Sequence, residues 1–129
     1  MAKKNSVMNN HRIKALTVSI ARWKLAAELT GTKATFKISD WVRYWLNQAA
    51  EGKFLPELTE RRFPRGQVQE LTGNFQFRAS VEELDAWQAA ADKSPCLNLA
   101  KRGSRPERAE WERQVLDAAA NQCLGRKVA

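Results

Sequence analysis

Asn74, Gln76 and Arg78 stand at alternate positions of one short stretch. Their side chains carry the paired donors and acceptors that can read base edges in the major groove of DNA. Phe75, Phe77 and Ala79 fill the positions between, giving the period of a strand with one dry face and one polar face. Arg78 would prefer guanine, and Asn74 and Gln76 adenine, because those bases offer the matching pair of groups. An edge strand with ordinary polar residues turned to water would show the same alternation, so the spacing alone leaves both readings open.

The elements around this stretch narrow the choice. Ser80 and Glu83 form an S-x-x-E capping box, so a helix starts where the strand stops and runs over 81–92 with Leu84, Trp87 and Ala91 inward. A repeat lies on either side of it. Asp40, Trp41, Arg43, Leu46, Ala49 and Ala50 match Glu110, Trp111, Arg113, Leu116, Ala119 and Ala120 at a constant offset of 70 residues. Each copy is preceded, across a helical stretch, by an alternating strand: Leu16, Val18 and Ile20 in the first half, Phe75 and Phe77 in the second. Two copies of one strand-helix-helix unit follow. One strand and two short helices cannot bury a core alone, so the copies are expected to pack on each other.

These residues resemble the ribbon-helix-helix DNA-binding proteins, the superfamily of the Arc and MetJ repressors. The carriers are the strand at 74–79, the capped helix behind it, and a helix opening with an acidic residue and Trp-x-Arg at Glu110-Trp111-Glu112-Arg113. The match covers 74–92 and 104–121 well. It is looser over 15–50, where the strand lacks long polar side chains. The resemblance implies a mainly α fold with a short two-stranded antiparallel β-ribbon that enters the major groove, its outward residues touching bases. Two units in one chain look like the TraY-type accessory proteins of conjugation and T-DNA transfer, which implies a monomeric pseudo-dimer, cooperative binding on DNA and a relaxase as protein partner. An autoregulatory repressor is the alternative role.

The resulting expectations are specific. A flexible basic arm over 1–13, a first unit over 14–51, a linker over 52–73, a second unit over 74–122 and a tail over 123–129 divide the chain. The first strand is expected over Lys14–Ile20, with Ala15, Thr17 and Ser19 outward beside Asn74, Gln76 and Arg78 as base readers, and the first helix over Ala21–Leu29. Ile38, Trp41, Val42, Trp45, Leu46, Ala49 and Ala50 form a broad helical stripe behind Ser39 as N-cap, and Gly52 stops that helix. Ser104-Arg105-Pro106-Glu107 is a second capping box, opening a last helix from 105 to about 122. Helix starts carry unpaired N–H groups and partial positive charge, which suits phosphate. Lys37, Ser39, Arg102, Ser104 and Arg105, with Arg12 of the arm and Lys14 at the start of the first strand, are the phosphate-binding candidates.

Charge fits a polyanionic partner. The formal net charge is +8, and residues 1–51 carry nine Lys and Arg against three acids. No apolar run approaches the roughly 20 residues of a membrane span, and no signal peptide is visible, so a cytoplasmic protein with reduced Cys96 and Cys123 is expected. An enzyme is not expected: the only histidine, His11, falls in the arm, and neither a phosphate loop nor a metal-ligand cluster is present. No cofactor is implied. A protein-interaction module, with the ribbon covered by a partner, is the competing class. Single-stranded nucleic acid ranks last, because it needs exposed aromatic platforms and these aromatics follow buried periodicities.

Overall fold

The computed structural model describes residues 8–30, 37–59, 72–96 and 108–128. The fold is mainly helical with one two-stranded antiparallel sheet, in the order β1 (Met8–Ala15), α1 (Thr17–Thr30), α2 (Ile38–Ala50), β2 (Gly73–Ser80), α3 (Val81–Asp92) and α4 (Arg108–Val128). Among the described residues no helix is long and apolar enough to cross a membrane.

β1 pairs with β2 from Met8 opposite Ser80 to Ala15 opposite Gly73. Ile13, Ala15, Phe75, Phe77 and Ala79 turn inward and are buried, as the alternation over 74–79 predicts for the second strand. Gly73 is required by close approach: a Cβ there would lie 2.8 Å from both the Ala15 carbonyl oxygen and Ile20 Cδ1.

The first strand differs from the expectation over Lys14–Ile20. It ends at Ala15, and Thr17 opens α1. The alternation of Leu16, Val18 and Ile20 is a decoy, for Val18 is 61% exposed while Ile20, Trp23, Ala26 and Ala27 bury one helical face. Residues 8–13, expected as flexible arm, are strand. The phase is also reversed, with even positions of β1 outward and Ile13 and Ala15 inward.

The capping box forms as predicted. Ser80 Oγ accepts from the Glu83 N–H at 3.1 Å, and Glu83 Oε1 accepts from the Ser80 N–H at 2.9 Å. α2 buries Trp41, Val42 and Leu46, and Gly52 follows it with φ +78°, the left-handed conformation that ends a helix cheaply in glycine. Its N-cap is Lys37 rather than Ser39, and no side chain caps it. α4 continues through the expected tail to Val128, because Cys123 and Leu124 extend the buried stripe of Leu116, Ala119 and Ala120. Cys96 and Cys123 are buried and are not joined in a disulfide.

The halves interlock. α1 packs against α4 and α3 against α2, so each helix that follows a strand rests on the later helix of the other half. Trp23 Nε1 donates to Asp117 Oδ1 at 2.9 Å, and Trp87 Nε1 donates to Asn47 Oδ1 at 2.8 Å. Strands and their following helices match at an offset of 64, as in Trp23 and Trp87, and the later helices at 70, as in Trp41 and Trp111. The second half carries the extra residues between α3 and α4.

Candidate nucleic-acid interface

The outward face of the ribbon is built by alternation alone. With Ile13, Ala15, Phe75, Phe77 and Ala79 held in the core, the side chains between them must point away from it. Asn10, Arg12 and Lys14 of β1 and Asn74, Gln76 and Arg78 of β2 are all exposed. The register sets Asn10 opposite Arg78, Arg12 opposite Gln76 and Lys14 opposite Asn74. Six polar side chains thus form two rows, each roughly 13 Å long at about 3.4 Å per residue. Three of them are cations and none is a carboxylate. Arg78 Nη2 donates to the Met8 carbonyl oxygen at 3.3 Å, laying the guanidinium across the end of the ribbon.

The site differs from the expected one in its first strand. Asn74, Gln76 and Arg78 are outward as expected. Thr17 and Ser19 leave the ribbon for the first turn of α1, and Ala15 is fully buried beneath it. Arg12 and Lys14, expected at phosphates, stand in the row facing Gln76 and Asn74. Asn10 was not anticipated, nor was the ordered place of His11. The signal was present in Asn10-His11-Arg12-Ile13-Lys14-Ala15, which matches Asn74-Phe75-Gln76-Phe77-Arg78-Ala79 in polarity at every position but the second.

Polar contacts beneath the ribbon fix it to the helices. His11 Nε2 lies 2.9 Å from Glu112 Oε2, with the imidazole edge-on to Phe77 at 5.4 Å. Arg113 Nη1 donates to the Lys14 carbonyl oxygen at 2.9 Å, while its Nη2 donates to Glu110 Oε1. These contacts tie β1 to α4 from below and leave its outer row free.

At the other flank an open cleft between the ribbon and the start of α2 is lined by Asn10, Gln76, Arg78, Ser39, Asp40 and Arg43. Lys37 is exposed at the mouth of α2 and Ser39 is half-buried in its first turn. Asp40 complements the helix dipole from the same turn, so the charge of this cleft is mixed. Arg43 is engaged by Glu83 through both carboxylate oxygens at 3.0–3.2 Å, and Asn47 Nδ2 donates to Glu83 Oε2 at 2.8 Å. Burial alone would raise the Glu83 carboxyl, but hydrogen bonds from Asn47, the Ser80 N–H and Arg43, with the charge of Arg43, hold it below its ordinary value. Arg102, Ser104 and Arg105 lie outside the described residues.

Among the described residues no group of three or more His, Cys, Asp and Glu side chains could hold a metal ion. No family model, curated protein or solved structure matches the chain.

Proposed function

We propose that the chain binds double-stranded DNA sequence-specifically, with the β1–β2 ribbon in the major groove. The observation that carries this reading is the pair of outward rows, Asn10-Arg12-Lys14 and Asn74-Gln76-Arg78, at matched register over an inward face packed on the helices. A major groove about 12 Å wide admits a two-stranded ribbon, and Arg, Lys, Asn and Gln are the side chains that pair with guanine or adenine edges there. The row of cations adds a sequence-independent attraction to phosphates.

In this reading the chain is a pseudo-dimer of two ribbon-helix-helix units. The crossed packing of α1 on α4 and α3 on α2, and the repeated indole bonds of Trp23 and Trp87, support it. The uncapped first turn of α2 then meets a flanking phosphate through its N–H groups and Lys37, with Ser39 beside them. Arg102, Ser104 and Arg105, which lie outside the described residues, are proposed as further phosphate contacts on their sequence alone. Both roles suggested by the sequence, accessory factor to a relaxase at a transfer origin and autoregulatory repressor, use this same contact.

Binding to random and selected duplexes, measured by fluorescence anisotropy across a salt series, tests the proposal. The expected result is a steep loss of affinity with salt for all duplexes, and a selected sequence bound more tightly than random sequence at every salt concentration. Equal binding to selected and random duplexes, or none to either, would overturn it.

A further inference from the structure

The pairing register gives the ribbon a local two-fold axis through the Arg12–Gln76 pair, and that axis exchanges Asn10 with Asn74, Arg12 with Gln76 and Lys14 with Arg78. The ends of the outward face are therefore alike. One end presents Asn10 beside Arg78, the other Asn74 beside Lys14, so each offers one carboxamide and one cation. The centre is unlike, with a guanidinium facing a carboxamide. All six side chains are exposed, so the difference lies on the readable surface and not in the core.

We infer that the DNA target is an imperfect palindrome, symmetric at its outer positions and unlike at its centre. The inference rests on the reading of the ribbon as a major-groove reader. Asn pairs with the N6 and N7 groups of adenine, and Arg or Lys with O6 and N7 of guanine, so the matched ends call for the same bases in both half-sites. At the centre Arg12 calls for guanine on one strand, while Gln76 calls for adenine at the related position of the other strand. The two central residues are not interchangeable, because adenine offers a donor where guanine offers O6. A duplex with such a centre is bound preferentially in one orientation. The chain then marks a direction along the DNA, which a homodimer on a true palindrome cannot do. Direct readout is shared by both strands of the ribbon, and polarity comes from this one pair.

Selection from a pool of random duplexes, run on the wild-type chain, Arg12→Gln and Gln76→Arg, tests this directly. The wild type should enrich a site whose outer positions obey the dyad and whose centre has guanine on one strand and adenine at the related position of the other. Arg12→Gln should enrich adenine at both central positions, and Gln76→Arg guanine at both, each giving a symmetric site. Replacing the central guanine by adenine in a wild-type site should weaken wild-type binding roughly 5- to 150-fold, the ratio equivalent of about 1–3 kcal/mol per bidentate contact. The same replacement should not weaken Arg12→Gln. A symmetric centre selected by the wild type, or a centre unchanged in both variants, overturns the inference while leaving DNA binding standing. Failure of the wild type to enrich any duplex removes the DNA-binding reading itself, and the inference with it. Circular dichroism of the two variants, both altered at exposed positions, should match the wild type.

Discussion

The indole N–H of Trp87 donates to Asn47 Oδ1 at 2.8 Å, joining α3 to α2 across the molecule, and Trp23 makes the corresponding bond from α1 to Asp117 of α4. Both indoles belong to fully buried residues, so their donors have no access to water. Each indole thus finds its acceptor on a helix of the other half, and the buried residues of both halves form one cluster.

Asn47→Ala should therefore cost about 1–3 kcal/mol, the range for a buried donor deprived of its acceptor. The cost should fall on the whole molecule. Urea unfolding followed by tryptophan fluorescence and by circular dichroism should give one coincident transition for wild type and variant, with the midpoint lowered and the slope unchanged. Two separated transitions would mean that the halves fold independently.

Glu83 makes stability depend on acid. Its folded value lies below the ordinary one near 4.5, so the carboxylate contributes stability that is fully present above that value and is lost as pH falls through the lower, folded one. Glu83→Gln keeps a side chain of similar shape but removes the charge that Arg43 meets. The variant should be less stable than wild type at neutral pH, and the difference should shrink as pH is lowered from 5 towards 3. Denaturant midpoints at a series of pH values report this. A constant difference would show that the charge of Glu83 contributes nothing.

For the proposed DNA contact, the corrected position of β1 separates two substitutions. Asn10→Ala should relax base preference at one outer position of the site, by roughly 5- to 150-fold for a bidentate contact of about 1–3 kcal/mol. Thr17→Ala, in the first turn of α1, should leave the preferred sequence unchanged. Competition between duplexes differing by one base pair measures both. Loss of preference in Thr17→Ala with none in Asn10→Ala would return readout to the segment after Ala15.

How much of this was legible in the sequence depends on which side chains face the core. β2 and α3 could be read because large apolar residues alternate with polar ones up to a capping box, and each feature has one physical meaning. β1 could not, because its inward set is His11, Ile13 and Ala15, one of them polar and one small, so the strand has the look of a basic arm. Leu16, Val18 and Ile20 then offered a better alternation by accident, although only a helix lets Ile20 and Trp23 share a face. The stripe of α2 was plain, but its cap was not, since no side chain bonds the helix start there. The polar residues of the site were named for half the ribbon, and their partners became visible only through the pairing register.

That register also sets His11 and Glu112 against an apolar counterpart. At the same offsets of 64 and 70 that relate the two halves, Phe75 corresponds to His11 and Val42 to Glu112. The surroundings agree: His11 lies 6.2 Å from the ring of Trp87, as Phe75 lies 6.4 Å from that of Trp23. One side of the molecule thus uses a polar pair where the other uses hydrocarbon. Glu112 is 1% exposed, and besides His11 it has Arg108 Nε at 3.8 Å, so losing the imidazole leaves its carboxylate poorly compensated. His11→Phe should therefore cost about 1–3 kcal/mol, and Glu112→Val a similar amount through the imidazole left behind. Together they install the residues already accommodated on the other side. A buried polar pair replaced by well-packed apolar groups is often neutral or stabilising. The double variant should accordingly recover most of the loss, giving a coupling of about 1–3 kcal/mol in a double-mutant cycle by chemical denaturation. Additive costs in the double variant would mean that the His11–Glu112 contact carries no interaction energy.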